Sequence, residues 1–302
     1  MIEVYVPATS ANCCVGFDCL GMAVDWWAHF TFEESDTLEV DGCPDEFKGK
    51  DNLVVQAFYT ACDYLKVEYP TFKLTIDTDI PFARGLGSSS TCVVAGIMAC
   101  DAWFKKGLSK SELLKIATSM EGHPDNVAPA IFGQATACFM EAEDVRMSHV
   151  PCADYHCLVM VPHYEVKTQQ ARKVLPKTMD FKDCVSQVSH ALVFLQALQQ
   201  GDEALLAQSC KDLLHEPYRK QFIKEYDTIK KYCKNEKLPM WISGSGSTMM
   251  VVSLKQSRLI ALSKYVEENF KELGFRFLTI AKKGAFIKYE SVSYTHLTLP
   301  TN

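Results

Sequence analysis

The order of apolar and polar residues along the chain predicts a mixture of strands and helices. Strand-like runs, either alternating or continuously apolar, occur at 3–6, 29–34, 37–40, 72–76, 133–140, 157–161, 240–242, 249–252 and 275–280. Pro7 is expected to end the first of these strands. Helical spacing of apolar residues occurs at 53–65, 91–104, 113–120, 181–200, 203–214 and 256–273. Because the two kinds of element do not alternate strictly, the pattern favours an α+β fold over a doubly wound sheet.

The length of 302 residues suits two domains of ordinary size. The sequence becomes polar around Val150 and Pro151, which places the predicted boundary between domains 1–150 and 151–290. The last stretch, 291–302, continues no periodic pattern and is predicted to be a non-native or disordered tail.

Composition and charge narrow the classes of partner. The net charge of −6 argues against a nucleic-acid-binding surface. The sequence begins with no charged and apolar leader and holds no apolar run of membrane-spanning length, so a cytoplasmic protein without a membrane partner is expected. The 13 cysteines are odd in number and many lie among apolar residues, which predicts free thiols.

A glycine loop at residues 81–90 gives the strongest chemical signal in the sequence. Gly85 and Gly87 allow a sharp turn, serines 88–90 follow them, and a nearly continuous apolar helix comes next. The first amides of a helix lack partners within the helix, so this arrangement is typical of a phosphate site. The alternative is a plain tight turn with serine caps, because the loop matches neither the Walker A pattern nor the dinucleotide fingerprint.

Three other groups of polar residues are candidates for ligand binding. Asn12 and Asp18 lie on a loop after the first strand, where they either cap turns or bind a ligand. Residues 121–126 place two carboxylates, an imidazole and an amide together, and the alternative is a helix C-cap followed by an N-cap. Arg172 and Arg219 are either solvated charges or, if they converge, a clamp for a carboxylate.

Together these motifs resemble the homoserine kinase family of the GHMP kinase superfamily. The resemblance rests on segments 7–12, 16–18, 81–90, 121–129, 171–176, 216–219 and 243–246, which occur in the order found in that family. The sequence departs from the family pattern at Cys13-Cys14-Val15, at Ser90 and at Ser247. The first departure lies where the substrate pocket is expected and puts fine specificity in question.

The resemblance implies ATP-dependent phosphorylation of the L-homoserine hydroxyl, a step of threonine biosynthesis. It implies an N-terminal domain similar to ribosomal protein S5 domain 2 and a C-terminal ferredoxin-like domain. The residues implied for ATP binding are Pro81, Arg84, Gly85, Leu86, Gly87, Ser88, Ser89 and Ser90. Ser89 and Glu121 are implied for Mg²⁺. The residues implied for homoserine are Asn12, Asp18, His123, Asn126, Arg172 and Arg219.

The catalytic roles implied by the resemblance fall on Asn126, Thr168 and Asp125. Asn126 and Thr168 would orient the hydroxyl, whereas Asp125 is a possible general base in a reaction that can proceed without one. A homodimer is expected from the family alone. The alternatives are another kinase of the superfamily, such as a mevalonate kinase, or a non-catalytic nucleotide-binding module. A serine hydrolase is disfavoured because neither glycine-serine loop contains a Gly-x-Ser-x-Gly elbow.

Overall fold

The computed structural model describes residues 1–142 and 144–288, which form two β-sheets with helices packed against them. The predicted tail at 291–302 lies outside the described residues, and the boundary after residue 150 remains a prediction. The described residues contain no helix that combines the length and the apolar character needed to cross a membrane.

The first sheet has seven strands in the described chain, in the order β11-β1-β2-β4-β3, with β5 paired to β2 and β6 to β5. Its strands are β1 (Ile2–Ala11), β2 (Leu20–Glu34), β3 (Glu39–Asp41), β4 (Phe72–Asp77), β5 (Ala135–Glu141), β6 (Asp144–Val150) and β11 (Phe286–Lys288). All pairs are antiparallel except β3 with β4. The sheet packs against α1 (Leu53–Leu65), α2 (Ser88–Phe104), α3 (Lys110–Glu121) and α4 (Pro124–Phe132).

The second sheet has four antiparallel strands in the order β10-β7-β9-β8. They are β7 (His156–Val161), β8 (Met240–Ile242), β9 (Met249–Ser253) and β10 (Gly274–Thr279). The helices of this half are α5 (Thr168–Lys173), α6 (Phe181–Gln200), α7 (Glu203–Ser209), α8 (Glu216–Arg219), α9 (Tyr226–Asn235) and α10 (Gln256–Asn269). The two mainly antiparallel sheets with segregated helices confirm the predicted α+β fold.

Several element ends agree with their sequence signals. Helix α1 begins after Asn52, whose side chain accepts a hydrogen bond from the Val54 amide. Helix α3 begins with the capping box of Ser109 and Glu112. The prediction of one helix over 203–214 is wrong at its C-terminal end. Helix α7 ends at Ser209, because the Asp212 carboxylate then accepts the amides of the turn that opens α8.

The prediction that Pro7 ends the first strand is wrong. Strand β1 continues to Ala11, and its pairing with β2 shifts register between Pro7 and Thr9. An irregularity of this kind tolerates a residue that has no amide hydrogen to donate. The continuation matters because it carries β1 to the edge of the glycine loop, where the Thr9 amide donates to the Leu86 carbonyl over 3.1 Å.

Candidate active site

The glycine loop lies between the two halves of the chain. Gly85 and Gly87 have φ values of +80° and +66°, and a Cβ at either position would meet another segment. At Gly85 it would lie 2.1 Å from the Ser243 carbonyl oxygen, and at Gly87 it would lie 2.0 Å from the Thr9 Oγ1. Both glycines therefore permit a close approach as well as a left-handed turn.

Helix α2 presents its N-terminus to the cavity beside this loop. The first α-helical hydrogen bond of α2 is donated by the Thr91 amide to the Gly87 carbonyl over 2.9 Å. The amides of residues 88–90 therefore have no acceptor within the helix. Unpaired amides and the positive end of the helix dipole together make an anion site.

A cavity of about 180 Å³ brings together most of the predicted site residues. Its lining includes Asn12, Asp18, Gly85, Gly87, Ser88, Ser89, Ser90, Glu121, His123, Asp125, Asn126, Thr168, Arg172 and Arg219. Of the residues predicted for ATP, the structure does not bring Pro81, Arg84 and Leu86 to the cavity wall. Residues from the loop after β1 and from α2, α3, α4, α5 and α8 thus meet in one place.

Arg84 and Leu86 support the loop from outside the cavity. The Arg84 guanidinium donates to the carbonyls of Pro162 and His163 over 3.3 and 2.9 Å, and it pairs with Glu165 at 3.1 Å. Leu86 is buried. In this structure the two residues hold the loop against β1 and the segment after β7.

Hydroxyl and carboxylate oxygens cluster at the start of α2. The Ser89 hydroxyl donates to one oxygen of Glu121, and the Ser90 hydroxyl lies 3.3 Å from the other oxygen. Oxygen donors of this kind, placed beside a phosphate site, suit Mg²⁺. The residues present therefore fit the metal that the family resemblance implies.

The opposite end of the cavity carries charges of both signs. The Arg172 guanidinium binds the Asp18 carboxylate through two hydrogen bonds of 3.0 and 2.8 Å. His123 Nδ1 lies 3.7 Å from Asp18 Oδ2, and burial lowers the pKa of His123 despite that carboxylate. The Asn12 side chain fixes the Asp18 backbone by accepting its amide over 3.0 Å.

Arg219 is the most deeply buried cation of the cavity, with 2% of its surface exposed. Its guanidinium donates to the carbonyls of Ala171 and Gly244 over 3.3 and 3.0 Å. Burial lowers its pKa to about 10, and the neighbouring positive charge of Arg172 acts in the same direction. Arg219 therefore remains protonated at neutral pH and can attract an anion.

Asp125 and Asn126 lie side by side at the start of α4. Burial raises the pKa of Asp125 to about 7, and the negative charge of Asp18 adds to this effect. The Asn126 side-chain oxygen accepts a hydrogen bond of 2.8 Å from the Thr9 hydroxyl. Across the cavity, the Thr168 hydroxyl lies 3.3 Å from the Ser245 hydroxyl.

Sequence reasoning missed three residues that shape the site. Thr9 holds Asn126, Ser245 faces Thr168, and the ring of Phe17 lies 5.6 Å from the Arg172 Cζ and 5.0 Å from the Arg219 Cζ. Phe17 stood inside a motif that the family resemblance used, but no local pattern predicts that one ring contacts two distant arginines. The spacing along the chain carries no signal for any of these contacts.

Comparison with known proteins shows the family to which the chain belongs. The family models described as GHMP kinases N terminal domain and GHMP kinases C terminal match residues 52–134 and 194–272. The homoserine kinase of Clostridium botulinum (strain Okra / Type B1) is 38% identical over 292 residues, which cover 95% of this chain and 98% of that protein.

Solved structures show the same fold. The crystal structure of homoserine kinase from Cytophaga hutchinsonii superimposes with a TM-score of 0.84 at 26% identity, covering 95% of this chain and 97% of the other. The L. major mevalonate kinase in complex with R-mevalonate has a TM-score of 0.70 at 16% identity, covering 91% and 94%. At that identity the second comparison supports the fold alone.

The fold, the glycine loop and the two family models define a kinase of the GHMP class. Within this class, the similarity to homoserine kinases extends over nearly the whole chain. The chain belongs to the homoserine kinase family.

Proposed function

We propose that this chain transfers the terminal phosphoryl group of ATP to the side-chain hydroxyl of L-homoserine, giving ADP and O-phospho-L-homoserine for threonine biosynthesis. One observation carries the proposal: an anion-binding helix start and a pocket with charges of both signs face each other across a single cavity. L-Homoserine is a zwitterion with a free hydroxyl, so it suits such a pocket.

The triphosphate of ATP is proposed to bind the amides at the start of α2. Gly85 and Gly87 let the loop backbone come close to the phosphates. Ser89 and Glu121 would hold Mg²⁺, which on binding neutralises charge on the β- and γ-phosphates. Their hydrogen bond in this structure places the two donors next to each other.

The two ends of homoserine are proposed to meet opposite charges. Arg219 and Arg172 would bind the carboxylate, and Asp18 with Asn12 and His123 would bind the ammonium and the carbon chain. Bidentate guanidinium contacts favour a planar carboxylate, which supports the arginine assignment.

Orientation of the hydroxyl is assigned to Asn126 and Thr168. Because the Asn126 oxygen accepts from Thr9, its amide nitrogen is free to face the cavity. A loose phosphoryl-transfer transition state depends mainly on such positioning and on charge neutralisation.

The hypothesis that Asp125 accepts the hydroxyl proton has separate support. A general base works best when its pKa lies near the working pH, and the pKa of Asp125 is about 7. In Asp125→Asn a general-base role predicts a fall in kcat of about 100-fold or more. A change within about threefold would instead leave positioning by Asn126 and Thr168 to explain the reaction.

A substrate panel tests the proposed reaction against its nearest rival. ADP release from Mg-ATP is measured with L-homoserine, with mevalonate and without acceptor. We expect release with L-homoserine alone. Mevalonate carries a carboxylate and no ammonium, so release with mevalonate but not with homoserine would indicate another GHMP kinase. No transfer to any acceptor would indicate a nucleotide-binding module.

We also propose that the protein is a cytoplasmic homodimer. A row of exposed apolar side chains on α6 supports the dimer. Phe181, Val185, Val188 and Leu192 are 85%, 54%, 59% and 65% exposed. Their spacing of four, three and four residues is that of a helix-pairing seam, and it reads the same in both directions. Two copies related by a two-fold axis would therefore set Val185 opposite Val188 and Phe181 opposite Leu192.

Light scattering tests this dimer. We expect a dimer for the unmodified chain and a monomer for Leu192→Glu. The matched control is Ile260→Glu on α10, because Ile260 is also partly exposed, at 41%, and lies outside the seam. A monomeric unmodified chain, or a dimer that survives Leu192→Glu, would contradict the proposed interface.

A further inference from the structure

The Asp18–Arg172 ion pair joins two residues that the proposed function assigns to opposite ends of the substrate. The pair is bidentate, with N–O distances of 3.0 and 2.8 Å, and both side chains are partly buried, with 26% and 36% exposed. Both also line the cavity. In the free protein, the charges of Asp18 and Arg172 thus already neutralise each other.

We propose that this ion pair is an internal substitute for the substrate's two charges and acts as a specificity device. This inference rests on the proposed function. A zwitterionic amino acid replaces both partners at once, since its ammonium takes the place of Arg172 at Asp18 and its carboxylate takes the place of Asp18 at Arg172. One ion pair within the protein is then replaced by two between the protein and its substrate, and neither Asp18 nor Arg172 is left without a partner of opposite charge.

A ligand with only one of the two charges gains no such exchange. A hydroxy acid that contacts both arginines would have to separate Arg172 from Asp18, and it would leave a partly buried carboxylate without its partner, close to Asp125. Leaving a buried charge unpaired is costly. The ion pair therefore disfavours half-charged ligands beyond the simple loss of one contact.

The surroundings of the pair favour movement of Arg172 over movement of Asp18. The Asp18 backbone has a φ of +58° and is held by Asn12, and the His123 imidazole lies 3.7 Å from its carboxylate. Arg172 lies on α5, and its guanidinium has Asp18 as its hydrogen-bond partner and the Phe17 ring beside it.

Arg219 is placed differently from Arg172. It is nearly fully buried and donates to two backbone carbonyls, and none of the ion pairs within residues 1–142 and 144–288 includes it. Its positive charge can therefore attract a carboxylate before the ion pair opens. Arg219 supplies the fixed part of the anion site, and Arg172 supplies the part that is exchanged.

Calorimetric titration of the whole chain with two ligands tests the inference. L-Homoserine carries both charges, and 4-hydroxybutanoate carries the carboxylate and the hydroxyl only. In Asp18→Asn, we expect L-homoserine to bind about tenfold more weakly or worse, because its ammonium loses a buried partner. We expect 4-hydroxybutanoate to bind about two- to fivefold more tightly, because no charged pair has to be opened.

The opposite signs of these two changes separate the inference from simpler accounts. Subsites whose charges do not interact predict no change for 4-hydroxybutanoate, and a purely structural role of Asp18 predicts weaker binding of both ligands. Either result would overturn the inference. The control variant Asp154→Asn removes an exposed ion pair with Lys282, 2.8 Å long and outside this cavity, and should change neither affinity.

A second variant keeps the test decisive if Asp18→Asn does not fold. Arg172→Met frees Asp18, so 3-aminopropan-1-ol, which carries only the ammonium and the hydroxyl, should bind more tightly than it does to the unmodified chain. Equal or weaker binding would overturn the inference. Phosphorylation of L-homoserine is measured separately. If the two affinities change in opposite directions but L-homoserine is not phosphorylated, the proposed function alone is refuted. If L-homoserine is phosphorylated but the two affinities do not change in opposite directions, this inference alone is refuted.

Discussion

The Thr9 hydroxyl donates a hydrogen bond of 2.8 Å to the side-chain oxygen of Asn126, 117 positions further along the chain. This contact joins β1 to the start of α4, and both of its oxygen atoms lie next to Gly87. It fixes which end of the Asn126 amide faces the cavity. If Asn126 orients the reacting hydroxyl as proposed, that alignment depends on Thr9, which does not itself line the cavity.

Thr9→Val should impair catalysis more than substrate binding. Valine keeps the shape of threonine but cannot donate, so the Asn126 amide loses its fixed orientation, and we expect kcat to fall about tenfold. The KM for homoserine should change little. Thr9→Ser keeps the hydroxyl and should restore most of kcat, whereas equal losses in both variants would mean that the methyl group, through packing, is what matters.

Gly87→Ala should damage the phosphate site. A Cβ at this position would lie 2.0 Å from Thr9 Oγ1, so the loop or β1 must shift, and we expect a higher KM for ATP and a loss of stability of about 1–3 kcal/mol. The matched control is Gly107→Ala, since Gly107 has a similar φ of +74° but open space around it. Steady-state kinetics and urea unfolding of both variants separate the close contact from backbone strain. Similar effects in the two variants would contradict this account.

The elements of this fold differed in how far the sequence predicted them. Helix α1 has the bounds 53–65 that its apolar spacing predicted, because that spacing is a local signal. The first part of β2, from Leu20 to Ala28, was missed because most of its residues are buried, so apolar and polar residues do not alternate there. Strand β6 was missed for the opposite reason, since most of its residues are exposed and polar.

The residues of the candidate site also differed in how far the sequence predicted them. Glycine loops and charged motifs are contiguous in sequence, so most of the residues predicted from them line one cavity. The pairing of Asp18 with Arg172 spans 154 positions, and nothing local predicts it. Arg84 carried the same signal as its neighbours, but the structure turns it outward, because the carbonyls after β7 and the Glu165 carboxylate take its hydrogen bonds.

Arg219→Ala should weaken homoserine recognition. Removing this buried cation takes away the fixed partner of the carboxylate, and we expect a loss of about 2–5 kcal/mol in kcat/KM for homoserine. The KM for ATP should change little. Arg146→Ala, an exposed arginine on β6, is the control. Unchanged kcat/KM for homoserine in Arg219→Ala would remove the residue from the substrate site, and a melting curve of each variant checks that it is folded.

Asp125→Asn should change how stability depends on pH. The pKa of Asp125 is about 7 in the folded chain and about 3.9 in an unfolded one, so the folded state binds more protons between these values. The contribution of Asp125 to the free energy of unfolding therefore falls as pH rises from 4 to 7, by about 1.4 kcal/mol per pKa unit at most.

Urea unfolding at pH 5 and pH 8 measures this effect. Because asparagine does not titrate, the stability of Asp125→Asn relative to the unmodified chain should rise between the two pH values. A difference that stays constant with pH would show that Asp125 is ionised throughout, and it would remove the support that burial gives to its role as a base.

Phosphorus NMR of a reaction of the chain with Mg-ATP and L-homoserine tests the central claim most directly. Our account predicts that the γ-phosphate signal of ATP is replaced, mole for mole, by the signal of a phosphate monoester on the homoserine hydroxyl, and that Gly87→Ala slows this conversion. Release of inorganic phosphate alone, or unchanged ATP in the presence of homoserine, would contradict it.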